Sequence, residues 1–195
     1  MNIEEEKLLI EDARNSPAAF GKLFEEYYPR ISNYVLHRMT SADMAQDITS
    51  EVFFKAMTRL HTFSWRDISF SSWLYKIANN EIKMYYRKKA VKFLSLEFLF
   101  EDHFFEPPDS TDIEQDYIAA EEELSRNQQF IEVRKHLLRL PVIYREALTL
   151  RYFEGKALAD IGEITGKNLN TVKSLILRGK EKLRSKMEKQ YASRE

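Results

Sequence analysis

A chain of 195 residues without a single Cys has no disulfide framework and no thiolate metal site, and its four His residues, His37, His61, His103 and His136, stand without ligand spacing. The length suits two small domains better than one. The formal net charge of −1 hides an asymmetry: residues 1–92 carry +2, residues 93–127 carry −10 and residues 128–195 carry +7, so an acidic spacer separates two units of which at least one can meet a polyanion.

The chain starts MNIEEEKLLIEDARN, acidic where a signal peptide is basic, and no apolar run approaches the ~20 residues of a membrane helix, so a cytoplasmic protein is expected. Gly and Pro number five each, and apolar residues recur at three and four rather than two. The whole chain therefore reads as all-α. Phe20, Leu23, Phe24, Tyr27, Ile31, Tyr34 and Val35 step along one helical face, with Pro29 expected to kink or restart the helix. Thr40 and Ser41 suit the N-cap of a second helix carrying Met44, Ile48, Val52, Phe53, Ala56 and Leu60. A polar and aromatic connection, HTFSWRDISFS, leads to a third helix through Trp73, Leu74, Ile77 and Ala78, which ends in the basic cluster Arg87-Lys88-Lys89.

From Phe93 to Ser125 there is no Lys or Arg, and Pro107-Pro108 sit among acids, which marks a linker over 93–127. Its Phe93, Leu94, Leu96, Phe98, Leu99, Phe100, Phe104 and Phe105 are too apolar for a solvated tether, so part of it is expected to dock, on its own domains or on a partner. The acidic stretch should also attract the basic faces and draw the two units together in the free chain.

The last block, 128–195, opens with Gln129 to Leu140, breaks at Pro141, and continues as three helices, Tyr144 to Phe153, Leu158 to Thr165 and Leu169 to about Lys189. Leu158, Ile161 and Ile164 give the middle helix an apolar stripe, Gly166 supplies the left-handed C-cap, and Asn168 can cap the last helix. This is the layout of a helix-turn-helix. Val172, Ile176, Gly179 and Leu183 form the inner stripe of the last helix, leaving Asn170, Lys173, Ser174, Leu177, Arg178 and Glu181 outward, where a major groove would lie. Nine basic residues against three acids from Lys167 onward fit phosphate attraction.

LPVIYREALTLRYFEGKALADIGEITGKNLNTVKSLILRGKEKLR resembles region 4 of the group IV, extracytoplasmic-function, RNA polymerase sigma factors of the sigma-70 family, through Leu140-Pro141, Arg145-Glu146, Leu150-Arg151, Phe153-Glu154-Gly155, Ile161, Glu163-Ile164, Gly166 and Thr171-Val172-Lys173-Ser174. AQDITSEVFFKAM resembles region 2.2, and FSSWLYKIANNEIKMYYRKK regions 2.3 and 2.4. The resemblance spans nearly the whole chain. It implies a region 2 helical bundle over 1–92, the acidic linker over 93–127, and a region 4 helix-turn-helix over 128–195.

The function it implies is to bind core RNA polymerase and direct promoter-specific initiation. The minus-35 element would be read as duplex by Lys167, Asn170, Thr171, Lys173, Ser174, Leu177 and Arg178. The minus-10 element would be melted and captured as single strand by Phe63, Trp65, Arg66, Phe70, Trp73, Lys76, Asn79, Asn80, Lys83 and Arg87, since aromatic faces stack bases and cations track the backbone. Asp47, Glu51, Phe53, Phe54 and Lys55 would dock on polymerase; adjacent Phe53 and Phe54 cannot both face inward, so one should be exposed.

The implied partners are core polymerase, promoter DNA and an anti-sigma factor, with a monomer when free, no small-molecule substrate and no cofactor. The chain departs from the family at Met84 (usually Asp), Ala157 (a capping Ser or Thr), Gly162 (Ala) and Leu175 (often Arg), so no promoter sequence transfers from relatives. The rival reading is a helix-turn-helix regulator that does not associate with core polymerase. Against it, the first block is helical and aromatic-basic rather than a receiver or a dimerisation unit. An enzyme lacks support, there being no phosphate-binding glycine loop or nucleophile motif.

Overall fold

The computed structural model describes residues 2–65, 68–93 and 128–192, all helical or irregular with no strand among them. These residues form eight α-helices. The first block holds α1 (Ile3–Ala13), α2 (Pro17–Leu36), α3 (Ala42–Arg59), a 3₁₀ turn at Leu60–Thr62, and α4 (Phe70–Phe93). The second holds α5 (Gln128–Leu138), α6 (Val142–Leu148), a π turn at Thr149–Phe153, α7 (Leu158–Thr165) and α8 (Leu169–Ala192). The apolar linker residues between Phe93 and Phe105, with the rest of the acidic stretch, lie outside the described side chains.

Helix α1 is an element the opening residues encode without an obvious apolar stripe. Asn2 and Glu5 form a reciprocal capping box, with the Asn2 side chain accepting from the Glu5 N–H at 2.9 Å and the Glu5 carboxylate accepting from the Asn2 N–H at 3.1 Å. Glu4, Glu5 and Glu6 complement the positive helix start. The helix buries Ile10 and Ala13 against α2.

Helix α2 runs unbroken through Pro29. Pro29 and Glu25, whose carbonyl loses its partner, are both exposed, so water can satisfy that group and the expected restart does not occur. Its inner face, Phe20, Leu23, Tyr27, Ile31, Tyr34 and Val35, packs on α3 and α4. Phe24, expected on that face, is partly exposed and meets Phe53 edge-on at 4.8 Å. Ser41 caps α3, accepting from the Met44 N–H, and Ser69 caps α4, accepting from the Ser72 N–H at 3.1 Å.

In the second block α6 and α7 both pack on α8. The stripe Val172, Ile176 and Gly179 is buried and Leu183 half-buried. A Cβ at Gly179 would stand 3.2 Å from the Leu148 side chain, so the missing methyl lets α6 and α8 approach closely. Gly166 takes φ 69° and ends α7, and the Asn168 side chain accepts from the Thr171 N–H at 2.8 Å to start α8.

The two blocks are packed together. Arg134 donates to the Leu36 carbonyl at 2.8 Å and the Met39 carbonyl at 3.3 Å, and Arg145 donates to the Arg38 carbonyl at 2.9 Å. Two guanidinium groups of the second block thus serve the carbonyls at the negative end of α2. Arg145 also reaches the Tyr86 hydroxyl at 2.8 Å and the carbonyls of Leu138 and Leu140. His37 packs against Phe153, the rings tilted with centroids 4.5 Å apart, and α4 lies along α7.

Candidate nucleic-acid and polymerase interface

The outward face of α8 comes together as its periodicity requires. Asn170, Lys173, Ser174, Leu177 and Arg178 are all exposed on the side away from Val172 and Ile176, while Lys167 and Thr171 at the turn are half-buried. Leu175 is half-buried against the core and cannot join this face.

On α4, Lys76, Asn80, Lys83 and Arg87 are spaced four, three and four and are all exposed, making one polar stripe along the helix. Lys83 pairs with the buried carboxylate of Glu146 at 2.9 Å, so one cation of the stripe is engaged by the second block. Asn79 does not belong to the stripe. It is 1 % exposed, and its Oδ1 accepts from the Tyr34 hydroxyl at 2.5 Å and from buried Arg38, a polar knot between α2 and α4. An amide committed to meeting a buried guanidinium's hydrogen-bonding demand is not offered to DNA.

The aromatic candidates divide. Phe63 and Phe70 are buried, 3 % and 1 % exposed, meeting each other edge-on at 5.3 Å, and Phe70 also meets Tyr27 at 5.2 Å. These rings are core, not stacking platforms in this arrangement, because they pack on each other and on Tyr27 of α2. Trp65 and Trp73 are half-buried, each packed on Phe63 at 5.5 and 5.3 Å, and present their remaining surface beside the start of α4. Arg66 lies outside the described residues.

On α3, Phe53 is 5 % exposed and Phe54 57 %, so the pair splits as adjacent helical positions must. Asp47 and Glu51 are exposed with Phe54 and Met57, a mixed acidic and apolar strip. Lys55 is largely enclosed, bonded to Glu81 at 2.6 Å and Glu51 at 3.1 Å, and holds α3 to α4.

An open groove of about 920 Å³ runs between α2, α3 and the turn after the π segment, lined among others by Tyr28, Arg30, Gln46, Tyr75, Glu154 and Lys156. Lys156 bonds the Ser71 hydroxyl at 2.8 Å and sits 4.5 Å above the Tyr75 ring. The sequence signal for this contact is absent, since its members come from positions some 80 residues apart.

Residues 23–91 match Sigma-70 region 2 and residues 130–183 match Sigma-70, region 4. The RNA polymerase sigma-H factor of Pseudomonas aeruginosa is 31% identical over 91% of this chain and 91% of its own length. The chain belongs to the extracytoplasmic-function sigma factors of the sigma-70 family. Such a protein is a non-enzymatic initiation factor that directs promoter-specific transcription with core RNA polymerase, which removes the stand-alone regulator reading.

The ECF RNA polymerase sigma factor BldN of Streptomyces coelicolor is 30% identical over 86% of this chain, which spans 60% of that longer protein. Among solved structures, CnrH in complex with the cytosolic domain of CnrY superposes with a TM-score of 0.65 at 21% identity, covering 93% of this chain and 96% of that one. RpoE of Bartonella quintana, in complex with the anti-sigma factor NepR, gives 0.63 at 19%, covering 87% and 96%. These two share the fold of this sigma factor. No helix among its described residues is long and apolar enough to cross a membrane.

Proposed function

We propose that this sigma factor reads a duplex minus-35 element with the outward face of α8 and captures a melted minus-10 element along α4. In this reading, residues 128–195 form the upstream-element unit, residues 1–92 the downstream-element and polymerase-binding unit, and residues 93–127 the acidic linker. The observation that carries it is the joint exposure of Asn170, Lys173, Ser174, Leu177 and Arg178 on a helix locked to its scaffold from the opposite side. Lys173 and Arg178 are five residues apart, about 7.5 Å of rise, within reach of phosphates or guanine edges. The working set is Trp65 before α4 and Trp73, Lys76, Asn80, Lys83 and Arg87 on it; strand opening is driven by binding energy from stacking and phosphate contacts. Asp47, Glu51, Phe54 and Met57 face polymerase, positioned by Phe53 and Lys55.

The protein acts as a monomer in the cytoplasm, where polymerase and promoter are found. An anti-sigma factor is a further partner in this reading, supported by fold neighbours solved in complex with CnrY and with the anti-sigma factor NepR, and the open groove beside Tyr75 and Glu154 is the site we assign to it. Runoff transcription with purified core polymerase on a genomic promoter library tests the reading. Specific transcripts are expected with the wild-type chain, and loss of them in a Lys173→Ala, Arg178→Ala double variant that still binds core. A double variant that initiates at the same promoters as the wild type would reject α8 as the reader.

A further inference from the structure

We infer that Leu177 reads the 5-methyl group of a thymine in the upstream promoter element. The inference rests on the assignment of α8 as the recognition helix and adds a base and a chemical contact to it. Leu177 is 59 % exposed on the same face as Lys173, Ser174 and Arg178. Its side chain has no route into the core. Val172 and Ile176 fill the inner stripe, Leu175 covers the flank, and a Cβ at Gly179 would already press on Leu148, so α8 is seated without room to rotate.

A leucine 59 % exposed among polar neighbours leaves most of its apolar surface in water, and that surface is recovered only when a partner covers it. The occupant is fixed by the charge around it. Lys173 and Arg178 flank Leu177, and the stretch from Lys167 onward is strongly basic, which selects a polyanion over an apolar protein surface. On the major-groove edge of DNA the distinctive apolar group is the thymine methyl. Leu177 lies one helical turn beyond Lys173, about 6 Å along the axis, or roughly two base steps at about 3.4 Å each. Projected on the DNA axis that rise is at most about 6 Å, so the thymine sits within about two base pairs of the position Lys173 contacts.

The probe is a duplex upstream element, selected from a randomised pool by the holoenzyme of this chain and core polymerase, in which each thymine is replaced singly by deoxyuridine. That change deletes the methyl and keeps every hydrogen-bonding group. One position is expected to weaken wild-type binding about fourfold, the worth of one buried methyl-sized group. Leu177→Ala should bind the parent duplex more weakly and show no further loss at that deoxyuridine, whereas Leu177→Met should keep the response. Lys173→Ala and Arg178→Ala should weaken binding yet retain the deoxyuridine effect. The inference is overturned if no thymine responds in the wild type, or if Leu177→Ala responds as the wild type does, including the case where it lowers initiation on all templates alike through a protein contact. If Lys173→Ala and Arg178→Ala also leave binding unchanged, the recognition-helix assignment itself fails, which separates the two results.

Discussion

Tyr75 on α4 donates its hydroxyl to the Glu154 carboxylate at 2.5 Å, joining the helix proposed to capture the melted strand to the turn that precedes the helix-turn-helix. Burial raises the pKa of both groups, Glu154's shift being opposed by this bond, although both side chains also line the open groove. With the Lys83–Glu146 pair, it ties α4 to the second block.

Removing the hydroxyl should loosen the two halves. A hydrogen bond to a charged acceptor is worth ~1.5–3 kcal/mol, so Tyr75→Phe should shift a closed-to-open equilibrium by roughly ten- to a hundredfold. Since the chain has no native Cys, dyes placed at Ser50→Cys and Lys186→Cys would report it by energy transfer. Lower transfer efficiency is expected in Tyr75→Phe; an unchanged value would show that the bond does not hold the halves together. Because the contacts are partly buried, their salt dependence should be weaker than attraction between an acidic linker and basic faces would give.

Acid should destabilise the packing of the two halves. His37 is buried against Phe153, and burial, aided by the positive charge of Arg134, lowers its pKa to about 4. The unfolded residue takes up its proton near pH 6.5, and between there and about 4 the unfolded state binds more protons than the folded one. Stability is thus complete above that window and falls as pH drops through it, by about 2 kcal/mol at pH 5. Urea unfolding at pH 7.5 and 5 measures the loss, and His37→Gln should flatten the slope. A wild type with equal stability at both values would refute the role of His37.

Gly162 looks like a weakness in α7, since Ala is favoured in helices by ~1 kcal/mol. The structure reverses the expectation. A Cβ there would stand 2.8 Å from the Lys167 carbonyl oxygen, a backbone atom fixed by the turn, and the Gly162 carbonyl itself accepts from the Lys167 N–H at 3.0 Å. Gly162→Ala should lower the melting temperature and displace the start of α8. A higher melting temperature would mean the turn yields at little cost.

On α3, Asp47→Lys should weaken binding to core polymerase tenfold or more while leaving the helical circular dichroism unchanged, because Asp47 is exposed. Glu51→Lys removes a partner of Lys55 and places like charges one turn apart, so it should also lower stability slightly. Phe54→Ala should cost core affinity without cost to the fold, as a ring 57 % exposed supports little packing. Unaltered core binding in all three would remove this strip from the interface.

Caps and stripes were legible in the sequence because they are local: Ser41, Gly166 and Asn168 act where their residue types and spacing require. Phe63 and Phe70 were not legible as core, since the polar residues around them resemble a loop, and burial depends on Tyr27 more than 30 positions away. Asn79 was hidden likewise by its partner Arg38, 41 positions distant. The contacts of Arg134 and Arg145 are to backbone carbonyls, which every sequence possesses, so no pairing of side chains advertises them. Helix α1 could have been found from the Asn2 to Glu5 spacing alone.

The aromatic cluster at the start of α4 also makes this protein its own optical probe. Both Trp residues of the chain, Trp65 and Trp73, pack on the one ring of Phe63. Emission excited beyond the tyrosine band therefore comes from a single place, the one where unpaired bases are proposed to stack. Strand capture should be visible as a change in intrinsic fluorescence, without a label and without a background from the rest of the molecule.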